Sequence, residues 1–153
     1  MLAECANYEQ VLSGLRGEVI AILRAFPAAL LNQRPLYDES HETNSLAVLS
    51  SHIAGAEYEW IGQVVGGLPQ TRHRPDEFIA TAVDAAPLIT ALEHSGATTR
   101  EVLAGLTAAE LDDNRERGDR QFNVRWCILH AIEHTALHLG HIQLTRQLLL
   151  ADE

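Results

Sequence analysis

The chain has 153 residues, of which 46% are hydrophobic and 21% are charged, so it can bury a core and form one globular domain. Acidic residues outnumber basic ones by 21 to 11, and the formal charge of -10 argues against binding a nucleic-acid backbone. Every basic residue is an arginine. The absence of lysine excludes a Schiff-base lysine and a phosphate-binding loop of the Walker type.

Apolar residues recur at helical spacing along four stretches, and aromatic residues, which favour strands, make up only 5% of the chain. The predicted helices cover residues 5–31, 45–65, a third segment that starts near 76 or 85 and ends at 106, and 123–150. Thr43, Asn44 and Ser45 are candidate N-caps for the second helix. Residues 32–42, 66–76 and 112–120 are predicted loops. We expect an all-α fold, a four-helix bundle with crossover loops, formed by residues 1–153 as a single domain.

No segment of the sequence indicates export or membrane insertion. The two cysteines, Cys5 and Cys127, are too few for a disulfide framework, and no signal-peptide pattern is present. No apolar stretch reaches the roughly 18 residues that a membrane span needs. We therefore expect a reduced, cytoplasmic protein without a membrane partner.

The most informative feature is a stripe of histidines in the last predicted helix. At about 100° per residue, His130, His134, His138 and His141 fall within one arc, on or beside the buried face. A buried unpaired imidazole costs free energy, whereas two histidines four residues apart can bind one metal ion. Both His130/His134 and His134/His138 have this spacing. His52 is the best candidate for a third ligand, because it lies in an apolar helical stretch beside small residues. The alternative is a set of structural histidines, hydrogen-bonded to carbonyls, water or one another.

Other polar residues have two interpretations each. Glu59 lies seven residues after His52 and is a candidate general base or a support for a ligand, or else a solvated carboxylate. Arg72 and Arg74 either meet an anionic substrate or are solvated, and the second interpretation is favoured. Cys127 is predicted to be a small buried filler. Five further residues are predicted to be incidental, three on the surface or in loops and two in the core: His41, His73, His94, Trp60 and Trp126.

Several other metal and hydrolase sites are excluded by missing motifs. The sequence contains no Glu-x-x-His pair of the di-iron bundle type and no His-Glu-x-x-His helix of a zinc protease. It also lacks the Gly-x-Ser-x-Gly nucleophile elbow. Three imidazoles with an open fourth position therefore remain the preferred interpretation of the histidine stripe.

The chain resembles the DinB/YfiT-like superfamily in motif order and length. The matching segments are NSL at 44–46, HIAGAE at 52–57 with Trp60, and HAIEHTALHLGH at 130–141 after Trp126. The resemblance implies a four-helix bundle of up-down-down-up type, often a homodimer, with a divalent metal such as zinc or nickel. Matched by motif, the metal ligands are His52, His134 and His138. The motif match therefore favours His134/His138 over His130/His134 as the pair of metal ligands on the last helix.

Proteins similar in motif include S-transferases that use bacillithiol or mycothiol, and maleylpyruvate isomerases. A metal ion with an open position would activate either a thiol or a water molecule. We therefore expect a thiol S-transferase acting on a small electrophilic substrate. A metal-dependent hydrolase and a non-catalytic, stress-related dimer that binds a metal or small molecule are the alternatives. His130, His141 and Glu59 are the candidate acid–base or supporting residues.

Overall fold

The computed structural model describes residues 1–36 and 43–151, and the chain is predominantly helical, as predicted. The helices are α1 (Ala3–Ala25), α2 (Leu46–Glu57), α3 (Arg74–Glu77), α4 (Ala86–Gly105) and α5 (Val124–Ala151). α2 continues as a π-helical segment, Tyr58–Val65, and short 3-10 turns occupy Ala28–Leu30 and Glu110–Asp112. Within the described residues, no helix has both the length and the apolar character of a membrane span. His41 lies outside the described residues.

The helix boundaries follow capping and proline chemistry. α1 ends at Ala25 rather than at residue 31, because Pro27 disfavours the helical conformation at the preceding residue and Phe26 is extended, with ψ of 139°. α2 begins with Ser45 as its N-cap, whose side chain accepts a hydrogen bond from the Val48 backbone N–H. α4 begins at Ala86, and residues 74–77 form the separate helix α3. The later of the two predicted starts is therefore the better one.

The charged run 112–120, predicted to be a loop, contains most of a β-hairpin instead. Strands β1 (Asn114–Arg117) and β2 (Arg120–Asn123) pair antiparallel, with Arg117 opposite Arg120. Gly118 has a φ of 63° in the two-residue turn, a conformation that glycine adopts without strain. The strands carry mostly charged and polar side chains, so no alternation of apolar residues marks them in the sequence.

α1 and α2 each pack against both α4 and α5. The core consists of two clusters of buried apolar side chains, and α2 with its π-helical extension contributes to both. Ile53 belongs to the first cluster, and Trp60 and Ile61 belong to the second. Burying each such large apolar side chain stabilises the fold by about 1.5–3 kcal/mol. Glu57 thus lies on the stretch between the two clusters, whereas His52 lies next to Ile53 of the first.

The buried face of α5 is offset from the predicted one. Its buried residues include Ile128, Ala131 and Leu139, which lie on average roughly 100–150° around the helix from His130. The histidines therefore stand at the edge of this face, half-buried at 130, 134 and 138 and exposed at 141. The prediction of a core position is correct for Trp60, which is 7% exposed, and wrong for Trp126, which is 44% exposed.

A buried ion pair joins α1 to α2 away from the histidines. Arg16 Nη1 donates to Glu57 Oε1 at 2.5 Å, and the Thr99 hydroxyl of α4 donates to the same oxygen at 2.6 Å. Gly96 makes room for the arginine, since a Cβ there would lie 2.4 Å from Arg16 Nε. Burial raises the pKa of Glu57 despite Arg16 and Thr99, which lower it.

Candidate metal centre

Three histidines from two helices converge at the edge of the core. His52 comes from the middle of α2, and His134 and His138 come from successive turns of one face of α5. One ring nitrogen from each lies within 4.8 Å of the other two. His52 Nε2 is 3.0 Å from His134 Nε2, and the centroid of the His52 ring is 4.8 Å from that of the His138 ring. The structure therefore brings together the three residues predicted as ligands.

Glu77 determines which nitrogen of His52 carries the proton. His52 Nδ1 lies 2.8 Å from Glu77 Oε2, and because a carboxylate only accepts, we assign the proton to Nδ1. His52 Nε2 then presents a free lone pair toward His134 Nε2. Two bare ring nitrogens 3.0 Å apart repel each other unless a proton or a cation lies between them. The donor set thus fits a metal ion bound through imidazole nitrogens.

Arg72 holds Glu77 in this position. Its Nε and Nη2 donate to the two oxygens of Glu77 at 2.5 and 2.8 Å, a bidentate ion pair. Burial alone raises the pKa of Glu77, but the hydrogen bonds from Arg72 and His52 outweigh it and lower that pKa below its usual value. The Arg72 side chain is only 8% exposed, so the favoured prediction of a solvated arginine is wrong.

Glu59 contacts Arg72 on the side away from the histidines and adds a second carboxylate to this group of ion pairs. It accepts hydrogen bonds from Arg72 Nη1 and, at 3.0 Å, from Arg117 Nε of strand β1. Glu59 is therefore linked to His52 through Arg72 and Glu77. Sequence reasoning misses Glu77, because this residue lies in a short helix whose contact with α2 is set by tertiary packing. Its only local signal is the spacing of five residues from Arg72 in a segment rich in charge.

His134 and His138 are held in the neutral form. Burial, with smaller contributions from His138 and His52, lowers the pKa of His134 to about 3. Burial, followed by His52 and His141, lowers the pKa of His138 to about 4. Since free histidine titrates near pH 6.5, both imidazoles are unprotonated at neutral pH, the form that binds metal ions.

His141 and His130 have different surroundings. His141 is exposed, and its Nδ1 lies 3.2 Å from His138 Nδ1, so the two rings share one hydrogen bond. His130 belongs to an aromatic group, stacked on Trp126 with ring centroids 4.9 Å apart and planes 7° apart. It also meets Trp60 edge to face at 4.8 Å. Among the described residues, the converging cluster contains His134 and His138 but not His130.

The remaining candidates lie outside the cluster. Cys127 is fully buried, and burial raises the pKa of its thiol to about 11, so it is neutral and fills space as predicted. His73 and His94 are exposed, as predicted, and His94 stacks on Tyr58. Arg74 is exposed, with its guanidinium 5.0 Å from the centre of the Phe78 ring.

Replacing Gly55 with alanine is expected to disturb the metal centre indirectly. A Cβ at this position would lie 2.1 Å from Glu77 Oε1, so Gly55→Ala should push the carboxylate away from His52. Loss of such a supporting hydrogen bond weakens metal binding by roughly 10–100-fold. The check is a competition titration with zinc and a chromophoric chelator.

Gly14→Ala is the matched control, because nothing lies within 4 Å of a Cβ at that position in α1. It should leave zinc affinity unchanged and stabilise the helix by about 0.5–1 kcal/mol. Equal zinc affinities in the two variants would contradict the role given to Glu77.

The metal-free protein should lose stability in mild acid. Because the folded-state pKa values of His134 and His138 lie below the ordinary 6.5, protons bind the unfolded chain first. The stability that the neutral forms contribute is complete above about pH 6.5 and is lost as the pH falls toward 4. Urea unfolding between about pH 7 and pH 5 measures this slope, to which Glu57, whose pKa is raised by burial, contributes with the opposite sign.

The control for this pH dependence is a variant that removes one titrating group. His134→Gln should flatten the slope, while His73→Gln, whose side chain is 69% exposed in the native protein, should leave it unchanged. A pH-independent free energy of unfolding in the native sequence would contradict the prediction.

Comparisons with known proteins found a matching family model and a solved structure with a similar fold. A family model described as Mycothiol-S-transferase matches residues 8–151. A solved structure described as the conserved protein of locus from Enterococcus faecalis has a similar fold, with a TM-score of 0.78. The match covers 99% of this chain and 99% of that chain at 17% sequence identity. No curated protein matches the sequence.

Proposed function

The chain belongs to the mycothiol S-transferase family, and from this membership we propose that it is a metal-dependent S-transferase. It joins the sulfur of a low-molecular-weight thiol, such as mycothiol or bacillithiol, to a small electrophilic substrate. The observation that carries the proposal is the cluster of His52, His134 and His138. Three imidazoles with an open fourth position suit zinc or nickel.

The residues of the chain have distinct parts in this proposal. His52, His134 and His138 hold the metal, which when bound lowers the pKa of a thiol so that it is present as the nucleophilic thiolate. Glu77 keeps the proton of His52 on Nδ1 and so directs Nε2 toward the centre. Arg72 keeps Glu77 ionised and in place.

The three candidate acid–base residues separate into different roles. His141 stands exposed beside His138 and accepts a hydrogen bond from its Nδ1–H, which orients the His138 ring. Glu59 is a positioning residue that acts through Arg72. His130 is part of the aromatic group with Trp126, and its role is to support the wall of the site.

The architecture and assembly form part of the same proposal. We assign the chain one domain, a four-helix bundle of up-down-down-up type, supported by the packing of α1 and α2 against both α4 and α5. The superfamily resemblance supports a homodimer and a cytoplasmic location. Light scattering coupled to size exclusion measures the oligomeric state, and a monomer at micromolar concentration would exclude the dimer.

The activity is tested on protein purified without chelator and loaded with zinc or nickel. Mass spectrometry should detect a thioether product from mycothiol or bacillithiol and a small alkyl halide, and His52→Ala should abolish its formation. His94→Ala is the control, since this exposed histidine lies outside the cluster.

Hydrolysis of esters without thiol would favour the metal-dependent hydrolase, and metal binding with neither reaction would favour a binding protein. Failure to bind any divalent metal would overturn all three.

A further inference from the structure

A cavity of about 220 Å³ opens beside the histidine cluster, between the start of α2 and the C-terminal half of α5. Its described lining includes His138 and His141, three leucines (Leu49, Leu144 and Leu148) and three uncharged polar side chains. The volume is below the roughly 300–1,000 Å³ of pockets for drug-sized ligands. A molecule in this cavity therefore is small and lies directly beside a ligand of the proposed metal centre.

Two of the leucines are exposed, as are Trp126, Leu129 and Leu137 on the same helix. Leu144 is 55% exposed and Leu148 is 43% exposed, and they lie four residues apart on the same face of α5. A single exposed leucine needs no explanation. A pair that lines a concave site together with His138 presents apolar surface that a ligand would remove from water.

The lining also distinguishes this cavity from a larger one on the other side of α2. Among the described residues that line the smaller cavity, none is an aspartate, glutamate or arginine. The larger cavity, of about 540 Å³, is lined by Arg72, Asp76 and Glu77. A charged molecule in the smaller cavity would lose hydration without gaining a counter-charge from the described acidic or arginine side chains.

From this placement, and resting on the S-transferase function proposed above, we infer that the cavity binds the body of an uncharged, apolar electrophile, such as a small alkyl or benzyl halide. The thiolate sulfur of the co-substrate attacks the carbon that carries the halogen. One carbon–sulfur bond forms and one carbon–halogen bond breaks, and the halide leaves with the bonding electron pair. The thiol proton has by then passed to solvent, so no oxidant or reductant is needed.

Binding is tested on zinc-loaded protein with benzyl alcohol, an unreactive probe, by saturation-transfer NMR titration. Leu144→Asn and Leu148→Asn should each weaken binding about fivefold or more, since each removes apolar contact and adds an unpaired amide. Leu129→Asn is the matched control, because Leu129 is 51% exposed on the same helix but does not line the cavity. Equal probe affinity in all three variants would overturn the assignment. Unchanged probe binding with a shift in oligomeric state would also overturn it, and would assign the leucines to a contact between copies.

A second measurement separates this inference from the function on which it rests. His52→Ala should abolish conjugation but leave benzyl alcohol binding within about twofold, because His52 does not line the cavity. With His52 retained, the single variant Leu148→Asn should raise the KM for benzyl chloride without changing kcat. It should not raise the KM for the polar electrophile chloroacetamide. Probe binding without any conjugation would overturn the S-transferase proposal alone. Conjugation with equal KM effects for both electrophiles would overturn the apolar subsite alone.

Discussion

Replacing His138 with alanine is expected to abolish tight metal binding. The three imidazoles at 52, 134 and 138 are the described donors that converge within 4.8 Å, so the variant leaves two ligands where a structural or catalytic zinc site has at least three. The loss in zinc affinity should exceed the roughly 10–100-fold that follows removal of a supporting hydrogen bond. Equilibrium dialysis followed by elemental analysis measures it.

Two further histidines of α5 are matched controls for this prediction. His141→Ala removes the partner of His138 Nδ1 and should weaken zinc binding by no more than about 100-fold. His130→Ala removes an aromatic contact with Trp126 and should leave zinc affinity nearly unchanged. If His130→Ala lost the metal and His138→Ala retained it, the ligand pair on α5 would be His130/His134.

Replacing Arg16 with methionine is expected to destabilise the fold by about 3–5 kcal/mol. The variant leaves Glu57 as an uncompensated carboxylate that is only 1% exposed, with the Thr99 hydroxyl as its remaining hydrogen-bond donor among the described residues. Urea unfolding monitored by circular dichroism measures the change in the free energy of unfolding.

The controls distinguish the buried charge from the general loss of an ion pair. Arg24→Met breaks a pair with Glu93 whose side chains are 64% and 57% exposed, and should cost at most about 1 kcal/mol. The double variant Arg16→Met with Glu57→Leu removes both charges and should recover most of the stability of the native protein. A single Arg16→Met variant as stable as Arg24→Met would contradict the argument.

The ligand triad was accessible from sequence because its geometry is largely local. Two of its members lie four residues apart on one helix, a spacing that places them together in any α-helix. The third, His52, was identified by its apolar neighbours and by the superfamily motif. The same local reasoning placed Ser45 among three candidate N-caps and predicted the long helix α5, whose observed bounds differ by one residue at each end.

The parts that sequence reasoning missed depend on contacts between distant elements. The interaction of Glu77 with His52 joins residues 25 apart, and its partner Arg72 looked like any solvated arginine. The strands of the hairpin at 114–123 are paired through backbone hydrogen bonds, and no alternation of apolar residues in the sequence indicates them. Trp126 was assigned to the core because the centre of the buried face of α5 was placed too close to His130.

The π-helical segment Tyr58–Val65 has a consequence for how the centre and its support are connected. A π-helical stretch is wider than an α-helix, and it changes the rotational phase of everything that follows it along the chain. His52 precedes this change of phase and Glu59 lies within it. A relative lacking the first residue of the stretch, Tyr58, would keep His52 in register while turning Glu59 by about 100° around the helix and away from Arg72. The proposed metal ligands and Glu59 are therefore two parts of the site that insertions and deletions in α2 can vary independently.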